Sequence, residues 1–172
     1  MLLNIFGIKK VGRVQIVIVS LSLLGLVSLL FIGVPVVDKE MLHPFMNNGS
    51  GAFLSTIAFV YISYAGVTKI AAIAGEVKNP SKNLPLAMIL SLFIISSIYI
   101  AITYTLVGNV PLSELNEDIR PIYTLSLTLG SPIFAYIIAG IGVVTLISMA
   151  NSGVLASSRF PFAMAMDKLL PN

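Results

Sequence analysis

The sequence predicts an all-α membrane protein of four transmembrane helices, the second of them interrupted. Three observations lead there. Four long runs, 14–34, 52–75, 86–107 and 133–156, are apolar and, apart from one lysine in the second, free of charge. Charge is scarce overall: of 172 residues, 57% are hydrophobic and 10% charged, at a mean hydropathy of +1.00, where soluble domains carry roughly 25% charge. The Lys and Arg residues also divide unevenly between alternate loops, in the pattern an even number of crossings produces.

The N-terminal segment carries Lys9, Lys10 and Arg13. Val14 to Val34 follows as 21 uncharged residues, enough to cross a hydrocarbon core of about 30 Å at 1.5 Å per residue. A secretory leader would have a shorter apolar region ending in small residues. This run ends in Gly33-Val34-Pro35 instead, so a retained span is expected. Residues 35–51 are loop-like, rich in Pro, Gly and Asn. After the second span, 52–75, a polar turn covers 76–84, and Pro85 falls in the first turn of the third helix, where proline is tolerated. The third span is 86–107. Residues 108–130 hold Glu114, Glu117, Asp118 and Arg120, and Ser113, Asn116 and Pro121 suggest short helices at the membrane interface. The fourth span, 133–156, is rich in small residues (Ala139, Gly140, Gly142, Ser148, Ser152, Gly153), which let membrane helices approach closely. A tail with Arg159 and Lys168 follows, with a kink expected at Pro161.

The stretch 59–85, FVYISYAGVTKIAAIAGEVKNPSKNLP, carries the functional signal. It begins as an apolar helix, loosens at Ser63-Tyr64-Ala65-Gly66, and resumes from Val67 to Gly75. A glycine there has two readings. One is close packing of two helices. The other is a backbone break, tolerated in lipid only where protein or a watery cavity satisfies the freed groups; many secondary transporters build a midplane substrate site from such breaks. Tyr61 and Tyr64 flank the break.

Seven Lys and Arg residues lie in the N-terminal segment, the 76–84 turn and the tail, against Lys39 and Arg120 in the other two loops. Both termini are therefore expected in the cytoplasm. Lys69 lies within the second span. It is either an intramembrane functional charge or a snorkelling side chain about 9 Å from the inner end. The chain has no cysteine and a single histidine, His43, in a loop. Disulfides, thiolate chemistry and Cys- or His-cluster metal sites are excluded. All seven acids lie in loops or at span ends. With no paired intramembrane carboxylates, phosphate loop or Ser-His-Asp set, neither an enzyme nor a cofactor is expected, and the net charge of +3 does not indicate nucleic-acid binding.

The run Tyr64-Ala65-Gly66 through Gly75-Glu76-Val77-Lys78-Asn79-Pro80-Ser81-Lys82-Asn83-Leu84-Pro85 resembles the amino acid–polyamine–organocation permeases, in which a GEVKNPxxNxP-type segment follows the sixth transmembrane helix. Three further pieces agree in order. Leu3-Asn4-Ile5-Phe6-Gly7-Ile8-Lys9 resembles the loop before the fifth helix, and Gly12-Arg13-Val14-Gln15 the start of that helix. Ser158-Arg159 with 163–167 and Leu170-Pro171 resembles the end of the eighth helix.

The resemblance implies a leucine-transporter-like inverted repeat with a midplane site between broken first and sixth helices. This chain would supply helices five to eight, so it is expected to be a fragment, a truncated product or half of a split transporter. The missing helices would then come from another chain or a second copy. The substrate, an amino acid or related amine, would meet Tyr61, Ile62, Ser63, Tyr64, Ala65 and Gly66, with Thr68 lining the pocket, and transport would be coupled to protons or another cation. Where this fold has a sodium site, hydroxyls of the eighth helix serve it. Ser148 and Ser152, four apart on one helix face, are the candidates, with packing as the alternative role. Two departures stand out. Some relatives carry a Lys in the fifth helix that replaces bound sodium, and this chain has Ser22 there. Met166 and Lys168 stand where Arg and Gly are common. The rival expectation is a non-transporting membrane subunit or an inert fragment. The expected location is the plasma membrane.

Overall fold

A computed structural model describes residues 8–43, 49–64, 66 and 77–166. They form six α-helices: α1 (Ile8–Gly33), α2 (Gly49–Ser63), α3 (Pro80–Val107), α4 (Leu112–Leu115), α5 (Pro121–Leu129) and α6 (Pro132–Met166). Single 3-10 turns at Val34–Val36 and Glu40–Leu42 lie between α1 and α2. Three stretches, Gly12–Val36, Pro80–Val107 and Pro132–Val154, are long and apolar enough to cross a membrane. α2 is equally apolar but has 15 residues, about 22 Å of helix against a core of about 30 Å. Of the 52–75 run, Ala65 and residues 67–75, including Lys69, lie outside the described residues.

Several helix boundaries differ from those the sequence predicts, and α1 and α2 begin earlier than expected, at Ile8 and Gly49. α3 starts at Pro80, so Pro85 falls in its second turn rather than opening it. Asn79 adopts the left-handed conformation at φ 49°, which Asn tolerates better than most residues, and Pro80 then presets the first helical φ. The amides of Lys82 and Asn83 both donate to the Asn79 carbonyl, at 3.1 and 3.0 Å. Pro85 has no N–H, so the Ser81 carbonyl lacks its helical donor; Ser81 is exposed at the polar end, where water can serve instead. α6 runs on through Pro161 to Met166, ten residues beyond the apolar run. The short helices expected in the 108–130 segment are α4 and α5.

The core lies where the C-terminal halves of α1 and α3 meet α5 and the start of α6. Leu29, Ile102 and Ile138 are buried there, with Leu26, Leu30, Ile98, Ile122, Leu129 and Phe134 packed around them. Gly33 makes the closest approach: a Cβ there would stand 2.3 Å from Thr105 Cγ2 and 2.6 Å from Leu129 Cδ1. The Asn109 amide bridges this junction, donating to the carbonyls of Gly33 (3.1 Å) and Thr105 (2.7 Å). The Asp38 amide donates to Gly108 at 2.8 Å, tying the loop after α1 to the end of α3.

α1 and α6 run antiparallel. Gln15 meets Ser152, Ser22 meets Thr145, and Leu29 packs with Ile138, a step of seven residues along each helix. The remaining faces are apolar and bare: Phe31 is 80% exposed, Phe59 73% and Phe93 71%. Apolar exposure on this scale needs lipid or further protein to cover it.

At the α4–α5 end, Asp118 lies just ahead of α5. One carboxylate oxygen accepts the Arg120 amide at 2.7 Å and the other the Thr124 hydroxyl. These bonds, the Thr124 hydroxyl first, hold the Asp118 carboxyl below the usual carboxylate range. The Arg120 guanidinium lies over the Tyr123 ring, 5.4 Å from its centroid.

Candidate functional site

α2 ends at Ser63, within the 63–66 loosening. Its last turn tightens, the Tyr64 amide reaching back three residues to the Tyr61 carbonyl at 3.1 Å. The C-terminal carbonyls of an α-helix lack helical donors and carry the negative end of its dipole. Such an end suits an ammonium group. Tyr61 is 78% exposed and Ile62 66%; Ser63 and Gly66 are exposed as well. A Cβ at Gly66 would meet no atom within 4 Å. Ala65 and Thr68 lie outside the described residues.

Tyr64 differs from its neighbours. It is half-buried, its hydroxyl lies 3.1 Å from the Ser96 hydroxyl on α3, and its ring stands 5.9 Å from that of Tyr99 at a tilt of 56°. The end of α2 is thus fastened to α3 by two side chains that sequence patterning did not connect with the break.

Ser152 faces α1. The Ser152 hydroxyl is shared between Gln15 Oε1 at 2.7 Å and the Ser148 carbonyl at 2.9 Å. Two turns along, Ser22 and Thr145 pair hydroxyl to hydroxyl at 2.5 Å. Of the candidate ion residues Ser152 is tied to α1, and of the candidate substrate residues Tyr64 is tied to α3. Among the described residues no hydrogen bond joins the two sets.

A cavity of about 230 Å³ opens between α1 and α6, lined by Ile18, Leu21, Ile137, Gly140, Ile141 and Val144. It has no polar side chain to orient a zwitterion, so it is no amino acid site. No group of three or more potential metal ligands exists among the described residues.

The family model for the amino acid permeases matches residues 1–172. The chain belongs to the amino acid permease family. Its members are transporters rather than enzymes, and this chain is a multi-pass integral membrane protein. Membership also implies the leucine-transporter-like fold. Among curated relatives, the branched-chain amino acid permease of Lactococcus lactis is 28% identical over 96% of this chain and 37% of its own length. The branched-chain amino acid permease of Bacillus subtilis is 32% identical over 96% of this chain and 36% of its own length. The D-serine/D-alanine/glycine transporter of Escherichia coli is 23% identical over 99% of this chain and 40% of its own length. The chain thus spans a little over a third of these relatives.

Proposed function

We propose that this permease-family chain supplies one wall of the substrate site of a secondary transporter for amino acids or related amines. It would correspond to helices five to eight of the ten-helix inverted repeat, with both termini in the cytoplasm. The observation that carries this reading is the end of α2 inside an apolar run, at Ser63–Tyr64, with Gly66 open beside it. The carbonyls of Tyr61, Ile62 and Ser63 would receive the substrate ammonium. Ala65 and Gly66 would keep backbone exposed to it, and Thr68 would line the pocket. The family's other broken helix would hold the carboxylate. Coupling would use protons or another cation, with Ser148 and Ser152 as the ion-side hydroxyls if the cation is sodium.

The chain has no cysteine, which permits a direct test. Residues 1–172 are grafted into a cysteine-free form of the Lactococcus permease. Single cysteines then replace Ser63 in the site or Met41 in a loop. Saturating amino acid is expected to slow maleimide labelling at 63 and leave 41 unchanged. Substrate that is transported without protecting position 63 would refute the assignment.

A further inference from the structure

We propose that Ser96 and Tyr99 of α3 are positioning residues, which hold the end of α2 through Tyr64 at the depth where the proposed substrate carbonyls must lie. This rests on the substrate reading for its purpose, though not for its test.

Three observations carry it. The first is a contrast among the serines of α3. The hydroxyls of Ser91 and Ser97 donate to their own helix, to Met88 at 3.0 Å and Phe93 at 2.8 Å. That is the ordinary solution for a serine in an apolar helix. The Ser96 hydroxyl instead pairs with Tyr64 across the gap. The second is the surroundings. Phe93 and Ile100, one turn to either side of Ser96, are each 71% exposed on an apolar surface. In such surroundings a phenol and a hydroxyl gain more from each other than they would in water, since few other partners are at hand. The third is position. Ser96 falls at the midpoint of the uncharged run 86–107, and Tyr64 is the residue that follows α2. The hydrogen bond and the Tyr64–Tyr99 ring contact therefore fix both the height of the helix end and its rotation. α2 is exposed along its whole length, so this two-point fastening bears the alignment.

The test uses the 172-residue chain in lipid, with spin labels on cysteines replacing Phe59 and Ile100 and the interlabel distance measured. A second pair replacing Leu24 and Leu146 reports the α1–α6 pairing in the same variants. The 59–100 pair is expected to give one narrow distance distribution. Ser96→Ala and Tyr64→Phe each remove the hydrogen bond and should enlarge a detached, longer-distance population about fivefold. Tyr99→Leu should enlarge it as well, and Ser96→Thr, which keeps the hydroxyl, should restore the narrow distribution. The 24–146 distances should stay constant throughout. A 59–100 distribution that is broad in the parent chain, or unaltered by Ser96→Ala and Tyr64→Phe, would overturn the proposal. No transport is needed, so the result does not depend on the functional assignment.

Discussion

Replacing Gly33 by alanine is expected to loosen the packed end of the bundle by about 2–3 kcal/mol. The added Cβ would sit 2.3 Å from Thr105 Cγ2 and 2.6 Å from Leu129 Cδ1, where methyl groups need about 3.5–4.0 Å. The leucine methyl is the end of a flexible side chain and can swing away. The threonine cannot. Thr105 is fully buried, and its hydroxyl donates to the Ala101 carbonyl at 2.8 Å, which fixes its rotamer. α1 and α3 must therefore part. Overpacking of this kind costs about 1–3 kcal/mol. Parting also stretches the 3.1 Å bond from Asn109 to the Gly33 carbonyl, worth about 1 kcal/mol. Gly140→Ala is the matched control. Its Cβ would meet nothing within 4 Å, and removing a helix-interior glycine should stabilise by about 0.5–1 kcal/mol. The assay is denaturant unfolding in mixed micelles followed by far-ultraviolet circular dichroism, since the chain has no tryptophan. A Gly33→Ala protein as stable as Gly140→Ala would refute the packing argument.

Other consequences are equally measurable. Ser22→Ala and Thr145→Ala should each weaken the α1–α6 seam, and a double-mutant cycle in micelles should return a coupling of about 0.6 kcal/mol, with about 1.7 as an upper bound. The Asp118 carboxyl lies below its ordinary range in the folded chain, so its contribution is present above the unfolded value of about 3.9 and is lost as pH falls through the lowered one. The protection of the Tyr123 and Thr124 amides, taken against the unfolded exchange rate at the same pH, should therefore fall on strong acidification, and Asp118→Ala should lower it already at neutral pH. The proposed topology, with both termini in the cytoplasm, predicts that a cysteine replacing Met41 reacts with an impermeant maleimide from outside intact cells, and one replacing Lys82 only after permeabilisation.

Much of the architecture was legible because lipid imposes simple rules. Uncharged runs of about twenty residues marked α1, α3 and α6, and the composition of 108–130 marked α4 and α5. The start of α3 was misplaced because Pro80 and Pro85 both satisfy the first-turn preference, and only the left-handed Asn79 decides between them. The end of α2 at Ser63 coincided with the small and polar residues 63–66. The side chains that hold it did not announce themselves. Ser96 and Tyr99 sit in an ordinary apolar helix, and their meeting with Tyr64 is a tertiary contact without local pattern. The α1–α6 seam did leave a trace that a single-helix reading passes over. Gln15, Ser22 and Leu29 are spaced by seven, as are Ile138, Thr145 and Ser152, the repeat of two helices packed along a common line. Ser148 and Ser152 were noted for their shared face, whereas the seam is built by Ser152 and Thr145.

The most direct test of the substrate assignment is amino acid uptake by the Lactococcus chimera with Gly66→Leu. No neighbour lies within 4 Å of a Cβ at that position, so the leucine should leave insertion and folding as they were and intrude only where a substrate would meet the backbone. The account predicts normal amounts of chimera in the membrane, unchanged 24–146 label distances, and uptake reduced to background. Uptake at the rate of the unsubstituted chimera would contradict it.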